Sequence, residues 1–296
     1  MSQRAPQVKV LLAPGATPLV VRMAGVTARV SGMPQRLRAE LSALLRPFVL
    51  GGAATEAAEV EIELRSAPGA ADWQALVGGE QVLRSGSSTR MLRDLEWLVV
   101  ARSLACSRER IVWHAASLAW GSRAVILVAE SGAGKSTLTV SLALRGWRPL
   151  ADDLTLLDPA TYTLDPFRRC FHVSPAVSEL AASADLLTWP APELADYARP
   201  RRWGRDGRAP AWIVVVRRDS SAPASLTPLS RAEAAGALFA ATIRNHAAAS
   251  AASAAARVAG SALGCWALNN GDLNATVDLL MSTLLGAEGG APLVAR

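Results

Sequence analysis

The sequence predicts an α/β fold for its larger part, preceded by a small α+β unit. Three observations carry this prediction. Residues 124–128, Ala-Val-Ile-Leu-Val, are a continuous apolar run of the length and β-branched content of a strand buried on both faces. A glycine-rich loop follows at once, and then a helical stretch over roughly 135–145 that ends at Gly146. Residues 147–151 read as another strand, and 212–216, Trp-Ile-Val-Val-Val, repeat the buried-strand signature. Strand, loop, helix and strand in that order form the core unit of an α/β domain.

The remaining elements are assigned in chain order. Residues 7–13 and 18–23 read as short strands split by Pro14-Gly15, and 26–30 as a third. Leu37, Leu41 and Leu44-Leu45 give helical spacing over 36–46, whereas Val60-Glu61-Ile62-Glu63-Leu64 alternates as a half-buried strand does. Gly78-Gly79 marks a hairpin-like turn. Residues 88–105 form an amphipathic helix capped by Ser87 or Ser88, with Leu92, Leu95, Leu98-Val99 and Leu104 on one side. These elements make up a small N-terminal unit over 1–105 with no chemical motif, followed by a second domain over 106–296. In that domain 111–116 is a strand, 189–211 a long loop holding Arg199, Arg201, Arg202, Arg205 and Arg208, 230–258 an alanine-rich helical region packed closely on a sheet, and 272–285 a final amphipathic helix.

Composition narrows the function class. A chain of 296 residues suffices for one large domain or two modest ones. The formal charge is +6, and since Lys9 and Lys135 are the only lysines, almost all of the basic residues are arginine. A basic balance suits nucleotides, acidic peptides or nucleic acid. With no basic tail and no stripe of interleaved aromatics, nucleic acid is not an expected partner. Cys106, Cys170 and Cys265 are far apart and lack CxxC spacing, which predicts reduced thiols rather than a disulfide framework or a zinc site. Residues 1–14 carry no signal-peptide pattern, and no run approaches the ~20 apolar residues of a membrane span. The expectation is a cytoplasmic protein with no membrane partner.

One motif carries chemistry. Ala129-Glu130-Ser131-Gly132-Ala133-Gly134-Lys135-Ser136 follows the pattern Gly-x-x-x-x-Gly-Lys-[Ser/Thr] except at its first position, and Thr137 continues it. Successive backbone amides of such a loop converge on an anion, and the helix that it opens favours negative charge at its N-terminus. Gly132 and Gly134 allow the backbone to approach phosphate oxygens without an intervening Cβ. Lys135 reaches the β and γ phosphates, and the Ser136 hydroxyl is a ligand for Mg²⁺. Ala129 is compatible with this if its backbone remains in the β region. The implied cofactors are ATP and Mg²⁺, although the loop by itself does not distinguish ATP from GTP.

Asp152-Asp153 closes the next strand. Ligands of open α/β sheets gather at the carboxyl ends of strands, which brings both carboxylates to the loop. One is a candidate cation ligand, and the other a candidate acceptor for the proton of an attacking hydroxyl. His114 lies on the strand before the loop strand, where the residues alone leave a catalytic role and a core histidine equally open.

His114-Ala-Ala-Ser, Ser131-Gly-Ala-Gly-Lys-Ser-Thr and Arg145-Gly-Trp-Arg-Pro-Leu-Ala-Asp152-Asp153 together resemble the catalytic domain of HPr kinase/phosphorylase. The likeness is closer still to HPr-kinase-related proteins, including kinases of lasso peptide biosynthesis. It is strongest over 110–170. The resemblance implies a P-loop kinase fold similar to that of phosphoenolpyruvate carboxykinase. It also implies Lys135 and Ser136 as phosphate and Mg²⁺ ligands, Asp152 as general base on a serine hydroxyl, Asp153 as organiser of the metal site, and His114 as support for the catalytic aspartate. The chain departs from the family at Ala129, at Thr137 where a glutamate is usual, and around Glu179, which lacks the family's downstream pattern. These departures leave the reverse phosphorylase activity and HPr itself outside what the resemblance implies. It also makes a homo-oligomer plausible, and the arginines of 199–208 occupy the place of a loop that clamps phosphate.

The leading expectation is therefore an ATP-dependent serine kinase acting on a peptide or protein, such as a ribosomally made precursor peptide. The alternatives are a small-molecule kinase and a nucleotide-binding sensor that does not catalyse. A transport ATPase ranks low, since the chain has neither a Leu-Ser-Gly-Gly signature nor an apolar strand ending in Asp-Glu.

Overall fold

The structure, a computed structural model, describes residues 17–51, 57–66, 72–182, 187–190, 194–218, 222–243 and 248–286. The strand expected over 7–13 lies outside them. The chain divides into two compact units, Met1–Ser107 and Arg108–Arg296. Both are mixtures of helix and strand.

In the first unit β1 (Leu19–Met23) and β2 (Val26–Ser31) form a hairpin, α1 (Gln35–Leu44) crosses over, and β3 (Val60–Ser66), β4 (Trp73–Val77) and β5 (Glu80–Ser85) lead into α2 (Ser88–Cys106). The strands form one sheet in sequence order. Only the β2–β3 pair is parallel, which is why that connection needs the helix. Leu37, Leu41 and Leu44 of α1 are buried, as are Leu92, Leu95 and Val99 of α2, so both helices bury the stripe that their spacing predicts. The Ser87 side chain caps α2 by accepting a hydrogen bond from the amide of Arg90.

The second unit begins with β6 (Ile111–Trp120) and β7 (Arg123–Ala129), which pair antiparallel. The chain continues through α3 (Lys135–Leu144), β8 (Arg148–Ala151), β9 (Leu154–Leu157) and β10 (Leu164–Asp165). Next come β11 (Phe171–His172), α4 (Pro175–Ala182), β12 (Leu187–Thr188), β13 (Tyr197–Pro200) and β14 (Ala209–Arg217). It closes with β15 (Ser225–Pro228), α5 (Arg231–Ala240), α6 (Ala248–Ser261), β16 (Gly264–Asn269) and α7 (Leu273–Gly286). The main sheet runs β10-β9-β6-β7-β14-β16-β15, with β8 also paired to β6. Its centre, β7, β14 and β16, is parallel and its flanks are antiparallel.

Helices cover both faces of this sheet. Ile126 and Ile213 face α5 and α6 through Leu238, Ala255 and Val258. Val125, Leu127 and Val214 face α3 and α7 through Leu138, Leu142, Val277 and Leu280. Adjacent residues of β7 thus enter opposite cores, which explains why this strand reads as an unbroken apolar run. Ala251, Ala254, Ala255, Val258 and Ala259 form the buried stripe of α6, where small side chains let the helix lie close to the sheet.

Two expectations are corrected. The region 230–258 is two helices, because the chain between them joins β6: the His114 amide donates to Ala241 O at 2.7 Å and the Ile243 amide to Val112 O at 2.8 Å. The segment 189–211 is not simply a loop, since it contains β13 and the start of β14, and β13 is the middle strand of a small sheet with β11 and β12. Strands of two residues show no alternation to read. Among the described residues, no helix is long and apolar enough to cross a membrane.

Candidate functional site

The site forms where β7 ends and α3 begins. Ala129 is the last residue of β7 and pairs with Val216 of β14, so it holds the extended backbone that an alanine at this position requires. The loop then turns through Gly132 at φ +81° and Gly134 at φ +98°, conformations that strongly favour glycine. The Ala133 amide donates to Glu130 O at 3.3 Å, and α3 opens with the Leu138 amide donating to Gly134 O at 2.9 Å. The first amides of α3 therefore sit at the mouth of the loop, where an anion is favoured.

Lys135 is buried beneath this loop. Its Nζ donates to Ala129 O at 2.8 Å and lies 3.4 Å from both Glu130 O and His114 Nε2. Burial lowers its pKa, while the nearby charges of Asp153 and Asp152 act in the opposite direction.

Asp152 and Asp153 follow β8 and part company. Ser136 Oγ donates to Asp152 Oδ2 at 3.0 Å. Asp152 Oδ1 is shut off from solvent and has no hydrogen-bond partner. Burial, reinforced by the charge of Asp153, pushes the Asp152 carboxyl up to about 7, against the lowering effects of the Ser136 hydroxyl, Arg169 and Lys135. Asp153 instead meets His114, with Nε2 to Oδ1 at 2.8 Å. That contact assigns the His114 tautomer with its proton on Nε2 whenever the ring is neutral. The resemblance implies that His114 supports Asp152. In the structure its partner is Asp153, because the two carboxylates leave the strand in different directions.

A cavity of about 550 Å³ is lined by His114, Ser131, Gly132, Gly134, Lys135, Ser136, Thr137, Asp152 and Asp153. Its far wall includes Phe167, Arg169, Cys170 and Val177, with Arg218 at the rim. A second cavity, of about 840 Å³, lies on the other side of the loop, with Val215, Ala237 and Ala241 in its lining. His114, Ser131, Gly132 and Arg218 line both, so the loop sits at their junction.

The donor set fits a hard cation. Ser136 and Asp152 supply a hydroxyl and a buried carboxylate oxygen without a partner. Among the described residues, no group of three His, Cys, Asp or Glu side chains forms a metal cage. A cation carried in by a phosphate-bearing ligand would not need one, because the ligand's oxygens and waters would supply the remaining donors.

Every sequence-predicted site residue except Ala133 lines the first cavity, and Ala133 lines the second. The arginines of 199–208 do not line it: among the described residues its arginines are Arg169 and Arg218. Glu179 is exposed on α4 and does not line it either. Sequence reading missed Asn270, whose Nδ2 donates to Ala133 O at 3.0 Å and braces the loop from the end of β16. The turn signal Asn269-Asn270-Gly271 marks a loop there but not its target.

Comparison with models of known protein families finds none that matches this chain, and none of the curated proteins matches it.

Proposed function

We propose that this chain is an ATP- and Mg²⁺-dependent kinase that transfers the γ-phosphate to a serine hydroxyl of a peptide or protein, on a P-loop kinase domain of the HPr-kinase-related type. The observation that carries the reading is the convergence of Lys135, Ser136, Asp152, Asp153 and His114 on one cavity at the glycine-rich loop. A structural turn between a strand and a helix needs neither a buried lysine nor a carboxylate raised to about 7. A carboxylate tuned toward the working pH suits acid–base chemistry.

In this reading the loop amides and Lys135 hold the phosphates, Ser136 with Asp153 holds the cation, and Asp152 is left to act as base. A Mg²⁺ held there would supply positive charge against the charge that develops on transfer. Lys135, whose Nζ donates to Ala129 O, is the side chain that would meet the phosphates. Arg169 and Arg218 add positive charge at the wall and rim of the cavity. Asp152 accepts the proton of the serine hydroxyl, a task suited to a carboxylate that titrates near neutral pH.

The Ser136–Asp152 contact favours a second assignment within the same reaction. Asp152 then joins Ser136 on the cation, and the His114–Asp153 pair takes the proton. Asn substitutions separate the two. Loss of Mg²⁺-dependent nucleotide binding in Asp152→Asn, with binding intact but transfer lost in Asp153→Asn, selects the second. Binding intact and transfer lost in Asp152→Asn selects the first.

Incubation with γ-labelled ATP, Mg²⁺ and serine-containing peptides tests the reading as a whole. Label on a peptide serine, absent with Asp152→Asn, is the expected result. Nucleotide binding without transfer to any peptide favours a sensor, and transfer only to small hydroxyl compounds a small-molecule kinase. No nucleotide binding at all would falsify the proposal.

A further inference from the structure

A third cavity, of about 610 Å³, carries a charge distribution that the kinase reading does not use. Arg148, Arg168, Arg201, Arg202, Arg205 and Arg208 line it, with Asp206 as the only carboxylate among the described residues. Asp206 lies 3.6 Å from Arg208. Arg148, Arg202 and Arg205 are exposed.

The frame that carries these arginines is fixed. The Gly204 amide donates to Pro149 O at 2.9 Å. Arg208 and Leu164 exchange backbone hydrogen bonds of 3.1 and 2.8 Å. Arg208 Nε donates to Gly121 O at 3.0 Å. The 201–208 turn is thereby pinned to the ends of β6, β8 and β10, and its arginines line a concavity.

The position is as informative as the charge. Arg148 begins β8, and Asp152 follows directly after that strand's end. Four residues of extended chain span about 13 Å. Arg168 lines the arginine cavity, and its neighbour Arg169 lines the cavity at the glycine-rich loop. The two sites are thus separated by little more than the segment 167–169 and one short strand.

We propose that the arginine cavity docks an acidic segment of the peptide substrate. The inference rests on the kinase reading and adds a substrate class to it: a peptide with a carboxylate cluster about four residues from the serine to be phosphorylated. Guanidinium forks match carboxylates two hydrogen bonds at a time, and arginines on separate chain segments suit several carboxylates along a peptide better than one compact anion. A total charge of +6 on the chain aids the encounter.

The test measures binding of a fluorescein-labelled hexaglutamate peptide to the full chain without nucleotide. Arg148→Ala, Arg202→Ala and Arg205→Ala are combined in one variant. Arg90→Ala, Arg93→Ala and Arg102→Ala, exposed on α2, make the charge-matched control. The expected result is about tenfold weaker binding in the cavity variant, little change in the control, and steep weakening with salt. Affinity for MgATP stays unchanged in the cavity variant, so a failure of docking and a failure of the nucleotide site are read separately. Three outcomes overturn the proposal: no binding to the unaltered chain, an equal loss in both variants, or tighter binding of polyphosphate or a single-stranded oligonucleotide than of the peptide.

Discussion

Asp152 is the residue whose chemistry the fold alters most. Its carboxyl is raised from an ordinary value of 3.8 to about 7, chiefly by burial. The folded protein therefore binds a proton more tightly than the unfolded chain does, and stability falls as pH rises through this interval. Well below pH 4 both states carry the proton and ionisation adds no cost, whereas above about pH 7 the whole cost of ionisation is present. In EDTA, Asp152→Asn is expected to melt higher than the unaltered chain at pH 8, with the difference closing toward pH 4. A difference independent of pH would show that the carboxylate is solvated. Gly134 gives a second test at this scale. A Cβ there would lie 2.6 Å from Asn270 Nδ2, in a backbone conformation of φ +98°. Gly134→Ala is expected to cost about 1–2 kcal/mol and to weaken nucleotide binding, measured by denaturant titration and by calorimetry with MgATP. Much of the site was legible at this scale, because glycine, lysine and hydroxyl types at fixed spacing report backbone geometry directly. The partner of His114 was not, since it depends on how two adjacent carboxylates splay after a strand.

Among the elements, legibility follows length and period. β7 and β14 could be read from their apolar runs, and α1, α2 and α7 from their spacing. The two-residue strands β11 and β12 could not, because they exist only through pairing with β13. The break between α5 and α6 is a tertiary effect, in which β6 recruits residues 241–243 from what propensity alone would keep helical. This recruitment sets Ala241 beside His114 and closes one side of the cavity that lies across the loop. The alanine stripe of α6 then acquires a use. Ala255 is buried in the core shared with Ile126 and Ile213, whereas Ala252 is exposed. Ala255→Leu is expected to destabilise by about 1–3 kcal/mol through overpacking, and Ala252→Leu to be nearly neutral, as read from urea midpoints at constant slope. Equal effects would mean that α6 does not lie close to the sheet.

At the scale of the whole molecule, the division at Ser107 separates two cores. The first is built on Leu41, Ile62 and Leu95, and the second on the faces of β6, β7 and β14. Each has its own sheet and its own covering helices, which is the condition for separate cooperative melting. Every residue assigned to phosphate, cation or proton belongs to the second unit. Calorimetry of the full chain is therefore expected to resolve two transitions, of which MgATP raises only one. At a hundred times its dissociation constant a ligand stabilises its unit by about 2.7 kcal/mol. For a unit of this size that corresponds to an upward shift of about 5–10 °C. If a single transition moves as a whole, the two cores melt as one cooperative unit. If two transitions appear and neither moves, the glycine-rich loop does not hold nucleotide, and the kinase reading fails along with it.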